Sequence, residues 1–207
     1  MNVNSVLYNE GCSQGSAGER GVVVLDFGKP WQQNSTYGTK LYPDWTQFYS
    51  TPEIEVAAEY FLRGYWDCSP PGAFLTLAIG TNNSGSQVTN AHGQAWAQMV
   101  NNVAIWIGSP PSYASKEAVA GANDIEALWN NKTISRAWVD GYDLVYTRPF
   151  YNYGSCDSCP YTAYPLWAPG NGWSKDDIWY VSWGHLPLFR YQKSTTRMEF
   201  KLLNGSL

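Results

Sequence analysis

Ala73-Phe-Leu-Thr-Leu-Ala-Ile-Gly80 is an apolar run of strand length that ends in glycine, and its reading decides the fold. A strand with so few polar residues is covered on both faces, which is characteristic of parallel sheets. Upstream, Gly21-Val-Val-Val-Leu-Asp-Phe-Gly28 has the same character. Between the two runs, Thr51-Pro52-Glu53 supplies a capping hydroxyl, an early proline and an acid in the first turn. A helix is therefore expected from 51 to about 65, burying Ile54, Ala57, Ala58, Phe61 and Leu62 at helical spacing. Downstream, the polar stretch Thr81-Asn-Asn-Ser-Gly85 is a loop, followed by a helix from 88 to about 107 and a third strand over 117–123. Strands that alternate with helices indicate β/α units and a parallel sheet.

The remaining segments fill in around these units. Residues 1–20, rich in Gly, Ser and Asn, are read as an N-terminal arm, either an extended tail or a docked one. Residues 29 to about 50 are a polar, aromatic loop, and 21–207 form a single domain. After the third strand an irregular helical stretch runs over 124–140, with one or two strands over 143–146 and 149–153. A long Pro/Gly/Trp loop spans 154–173, a short helical turn 174–177, a strand 178–183, and a last strand ends the chain near 197–203. The total is about six or seven strands, whereas a complete (β/α)8 barrel has eight and about 250 residues. The expected fold class is α/β, a small or incomplete (β/α) TIM-like barrel with long loops. The alternative is an open, doubly wound parallel α/β sheet, whose glycine-rich phosphate loop is missing after the first strand.

Composition narrows the function. Of 207 residues, 44% are hydrophobic and only 14% charged, which argues for a folded domain with a sizeable core. The net charge is −4 and there is no basic run, so no nucleic-acid partner is expected. No apolar stretch reaches the ~20 residues of a membrane span. The 11 Trp and 15 Tyr are often interleaved with Gly, Asn and Ser, as in Phe150-Tyr-Asn-Tyr-Gly154 and Trp179-Tyr-Val-Ser-Trp-Gly184. Aromatic faces flanked by amides and hydroxyls suit sugars, although large aromatics also fill cores and interfaces.

Ala118-Val-Ala-Gly-Ala-Asn-Asp-Ile-Glu126 carries the chemistry. If it is a strand, Asp124 and Glu126 point to one side, and two adjacent carboxylates raise one pKa. Glycosidases work with such pairs. The competing reading places both acids at the start of the next helix, where negative charge is favoured. In parallel β/α folds the working face lies at the C-terminal strand ends. Asp26, Asn82, Asn83, Asp124, Glu126, Tyr151, Tyr153, Trp183 and His185 all fall at such ends. Glu126, Asp124 and Asp26 are the expected catalytic residues; Asn82, Asn83, Tyr151, Tyr153, Trp183 and His185 are the expected substrate contacts. Asp26 could instead cap the turn after its strand, and His92, inside the second helix, is read as structural.

Four cysteines form an even set, as in a secreted chain. Cys156-Asp-Ser-Cys159 suits a local disulfide, which leaves Cys12 to pair with Cys68. A redox CxxC would have to open a helix, and a zinc site would need further ligands, with only His92 and His185 available beside the other cysteines. No metal or cofactor is expected. Sequons stand at Asn34, Asn82, Asn131 and Asn204. The expected location is extracellular, in a mature form without a signal segment.

An early strand ending in Asp26, a middle strand ending Asp124-Ile-Glu126 and a late Tyr/Trp-rich strand resemble the β/α-barrel muramidases, lysozyme-type glycoside hydrolases. The resemblance implies catalysis by a strand-end Asp-x-Glu, with the first-strand Asp nearby. More broadly, Leu25-Asp-Phe-Gly28, Tyr37-Gly-Thr39, Ala78-Ile-Gly-Thr-Asn-Asn83, Trp138-Val-Asp-Gly-Tyr-Asp143 and Trp179-Tyr-Val-Ser-Trp-Gly184 resemble a group of secreted bacterial proteins to which no activity is attached. The expectation is a secreted glycoside-hydrolase-like domain acting on polysaccharide or cell-wall glycan. The alternative is a non-catalytic extracellular domain that binds glycan or self-associates.

Overall fold

The structure, a computed structural model, describes residues 3–40, 46–81, 88–108, 117–124, 132–145, 148–153, 176–177 and 180–181. Three β/α units dominate it. β1 (Gly21–Asp26), β5 (Leu75–Thr81), β6 (Glu117–Asp124) and β7 (Phe150–Tyr153) form one parallel sheet in the order β1-β5-β6-β7. Between successive members run α2 (Thr51–Cys68), α3 (Asn90–Gly108) and α4 (Lys132–Asp143). The protein is thus mixed α/β with a parallel sheet, and among the described residues that sheet does not close into a barrel.

Strand alternation sorts the sheet into two faces. Val23, Leu25, Leu75, Leu77, Ile79 and Val119 face the helices. They share one core with Ile54, Phe61, Leu62, Trp96, Val100, Val103, Trp138 and Tyr142. The opposite face is lined by Ala78, Ala120 and Ala122, with Val22 and Val24 packed against them. Near the end of β6, Gly121 leaves room for the Tyr142 ring, whose hydroxyl donates to the Pro149 carbonyl at 3.3 Å. Trp138 stacks on Tyr142 at 4.7 Å, and Phe150 of β7 meets both rings edge-on, so α4 and β7 are joined through aromatics.

The segment 29–50 is not a loop. It forms a second, antiparallel sheet of β2 (Lys29–Gln33), β3 (Thr36–Lys40) and β4 (Phe48–Ser50). The two-residue turn Asn34-Ser35 has φ of 50° and 64°, the left-handed pair that matches hairpin twist. Asn tolerates that region, but Asn-Ser is a weaker sequence signal than Asn-Gly, so the hairpin is easily missed. Helix α2 starts at Thr51, as expected, but Ser50 rather than Thr51 is the cap: its N–H and hydroxyl both donate to Glu53 Oε2 at 2.8 Å.

Two further corrections concern the later chain. Positions 143–145, expected to open a strand, end α4 and turn, with Leu144 and Val145 N–H bonded to the Gly141 and Tyr142 carbonyls. Trp138, Val139 and Tyr142 carry a helical face through this point, and that face outweighs the short apolar run. Within the expected strand 178–183, the described residues Tyr180 and Val181 are in a helical turn of π type. Tyr180 reaches Asp140 while its neighbour Val181 is fully buried, and two adjacent inward side chains are incompatible with strand alternation. The expected strand 197–203 lies outside the described residues.

The N-terminal arm is a docked helix, α1 (Val3–Ser16), packed along α2. Its composition hides this, because the contact is made by glycines: a Cβ on Gly11 or Gly64 would collide with the backbone carbonyl of Phe61 or Tyr8. Cys12 and Cys68 are disulfide-bonded across the two helices, 56 residues apart in sequence, as expected. Cys156 and Cys159 lie outside the described residues. Closing a loop of that length stabilises a fold by about 4 kcal/mol in the chain-entropy model. Cys12→Ser should therefore lower the unfolding free energy by roughly that amount in denaturant titration. Gly64→Ala, which overpacks the same contact with the bridge intact, should cost roughly 1–3 kcal/mol. Mass spectrometry of the unreduced protein checks the bridge.

Candidate active site

The C-terminal ends of the parallel strands lie side by side. Asp26 is in register with Gly80 and Gly80 with Ala122; Asn123 pairs with Asn152 and Asp124 with Tyr153. Asp124 is the last residue of β6, so this acid belongs to the strand; residues 125–131 lie outside the described residues. Strand spacing and rise put the Asp26 and Asp124 backbones about 12 Å apart, across the width of β5.

Asp26 has a structural task of its own. Its Oδ1 accepts the Gly28 N–H at 2.7 Å, and Gly28 takes φ of 94°, so the carboxylate shapes the turn that leaves β1 for β2. The residue is nevertheless exposed. Phe27 closes the turn by donating its N–H to the Gly80 carbonyl at 2.9 Å.

On the helix-facing side the strand ends are polar but uncharged. Thr81 and Asn123 are fully buried. Asn123 Nδ2 donates to Asn152 Oδ1 at 3.0 Å, and Asn152 Nδ2 donates to the Val181 carbonyl at 3.3 Å. This relay ties the 180–181 turn to β6 and β7. Helix α4 holds the same segment from the other side. Arg136 pairs with Asp177 at 2.9 Å and lies over the Tyr180 ring, whose hydroxyl donates to Asp140 at 2.6 Å. That bond and the nearby carboxylate charge push the Tyr180 phenol up to about 12.

Of the expected site residues, Asp26, Asp124, Tyr151 and Tyr153 stand at one edge of one sheet. Tyr151 is exposed. Glu126, Asn82, Asn83, Trp183 and His185 lie outside the described residues. Asn123 and Asn152 were not singled out from sequence. The signal was available, since a polar residue that interrupts an apolar strand at its end needs a partner. Among the described residues, no three His, Cys, Asp or Glu side chains are grouped to hold a metal ion, and no helix is long and apolar enough to cross a membrane. Comparisons with protein-family models, curated proteins and solved structures find no match to this chain.

His92 sits apart from this edge and is structural. It is buried in the first turn of α3, stacked on Trp96 at 5.1 Å, with Nε2 facing the Gly38 carbonyl of β3 at 3.4 Å. Burial without a counter-charge lowers its pKa to about 4, only partly offset by that carbonyl. In the unfolded chain the imidazole titrates near 6.5. Stability is therefore intact above that pH and falls as the unfolded state gains a proton between about 6.5 and 4. The shift corresponds to roughly 3 kcal/mol by pH 4. Melting curves across this range should show the loss, and His92→Gln should flatten it.

Proposed function

We propose that this chain is a secreted carbohydrate-acting β/α domain, its sheet a sector of a barrel, that works at the C-terminal edge of β1, β5, β6 and β7. The observation that carries the reading is that carboxylates end two strands of one parallel sheet, at Asp26 and Asp124, on the same edge. The disulfide between Cys12 and Cys68 is compatible with an oxidising, extracellular setting.

In this reading Glu126 is the general acid that protonates the leaving glycosidic oxygen. Asp124 stabilises the positive charge that develops on the sugar ring. Asp26, across β5, orients the substrate. Tyr151 of β7 borders the same edge, and its exposed ring offers stacking surface. The chemistry needs one carboxyl group held protonated and one ionised, and neighbouring carboxylates bring that about by mutual repulsion.

A panel of polysaccharides assayed for release of reducing ends tests the proposal. Glu126→Gln should abolish release, and Asp124→Asn should lower it by about 10²–10⁴. Asp26→Asn is the informative control, because the amide oxygen still accepts the Gly28 N–H while the charge is lost. It should reduce rate with an unchanged melting temperature. Full activity in Glu126→Gln, or equal release by all three variants, would overturn the assignment. A second reading, a non-catalytic domain that binds glycan or self-associates, draws support from the exposed Trp31 and Tyr151. Glycan binding without turnover, or large oligomers, would decide for it.

A further inference from the structure

The antiparallel sheet presents a surface that the strand-end chemistry does not use. Trp31, in the middle of β2, is 43% exposed. Its cross-strand partner is Gly38, so no side chain stands opposite the indole. The Lys40 ammonium lies 5.0 Å from the centre of the Trp31 ring. Lys29 and Lys40 are themselves direct cross-strand partners. Around the indole, Gln33, Asn34, Ser35 and Thr36 are all exposed and carry amides and hydroxyls.

We propose that this face binds an acidic glycan, with a uronic-acid pyranose stacked on Trp31 and its carboxylate paired with Lys40. The aromatic ring supplies a flat apolar surface for the C–H face of the sugar. The turn residues supply hydrogen-bond partners for its hydroxyls. The ammonium selects for charge: Nζ lies over the indole at 5.0 Å, and its flexible stem lets it swing aside to pair with a carboxylate at the rim of a stacked sugar. In a chain of net charge −4, a lysine pair beside an exposed indole is a local reversal of sign. The location fits as well. Trp31 follows Asp26 by five residues, at most about 17 Å of chain, so one glycan can extend from this face to the strand-end edge. The inference rests on the carbohydrate part of the reading above and not on hydrolysis.

Calorimetric titration with oligogalacturonate, and with a neutral cello-oligosaccharide of equal length, tests it. The protein is made in a host without N-glycosylation, since Asn34-Ser-Thr36 is a sequon. Oligogalacturonate should bind at least fivefold more tightly than the neutral sugar at low salt, with the preference shrinking as salt is added. Trp31→Ala should weaken both by tenfold or more, and Trp31→Tyr should restore part of that loss. Lys40→Gln should bring the two affinities together while leaving the neutral one in place. Unchanged binding in Trp31→Ala, equal affinity for the two sugars, tighter binding of oligodeoxythymidylate, or a Trp31-dependent dimer without sugar binding would each overturn the inference. Loss of reducing-end release in Glu126→Gln with Trp31-dependent binding intact would separate this site from the catalytic one. Activity without any Trp31 dependence would sink this site and leave the other standing.

Discussion

The fold depends on one enclosed strand. β5 is hydrogen-bonded to β1 on one side and β6 on the other, and six of its seven residues are buried. A strand in that position has no solvent to satisfy its backbone or hide a polar side chain, so its composition is severely restricted. Its outer-face residues are also small for a steric reason. A Cβ on Gly80 would meet Ala122 at 2.7 Å, and Ala78 packs against Ala120 and Ala122. Leu75, Leu77 and Ile79 fill the helix side, and the Ile79 carbonyl takes the Trp96 indole N–H at 3.0 Å. Once β5 is fixed in this way, the strand ends on either side fall into line, and the candidate edge follows from that register.

This is also why the parallel sheet was legible in the sequence. Strands buried on both faces must be written in apolar residues, so 75–81 and 117–124 are legible. The strand 21–26, only partly buried, is legible because Val23 and Leu25 still pack on the core. The helices between these strands show their buried stripe. Elements whose contacts need no apolar side chain read poorly. α1 meets α2 through Gly11 and Gly64, and a glycine contact leaves no hydrophobic pattern to find. The β2–β4 sheet is polar on its exposed side and turns at Asn34-Ser35, so it resembles a loop. The 180–181 turn carries apolar residues but is set by long-range partners, Asp140 and Asn152, which no local pattern encodes.

The site was legible in the same uneven way. Strand-end placement made Asp26, Asp124, Tyr151 and Tyr153 visible, because the chain alternates apolar bodies with polar ends. Asn123 and Asn152 were harder to assign, since an amide at a strand end is as common in loops as in buried networks. Trp31 was hidden among many aromatics: only its exposure, its glycine partner and the lysine over its ring set it apart from core tryptophans such as Trp96 and Trp138.

The two sheets are joined at the point where β1 becomes β2. Thr39 Oγ1 donates within 3.2 Å of the Phe27 carbonyl and 2.6 Å of the Lys29 carbonyl, so β3 grips the turn that Asp26 shapes. From the other side, His92 of α3 reaches the Gly38 carbonyl, and Tyr37 meets the same imidazole edge-on at 6.0 Å. Buried groups at this junction are neutral: a threonine, an uncharged histidine and backbone. The carboxylate of Asp26, which holds the Gly28 N–H, and the ammonium of Lys40, over the Trp31 ring, stand at its margin. That partition follows from the cost of burying charge without a partner. The hydrogen bonds of Thr39 and His92 thus tie the face around Trp31 to the edge around Asp26 through neutral groups.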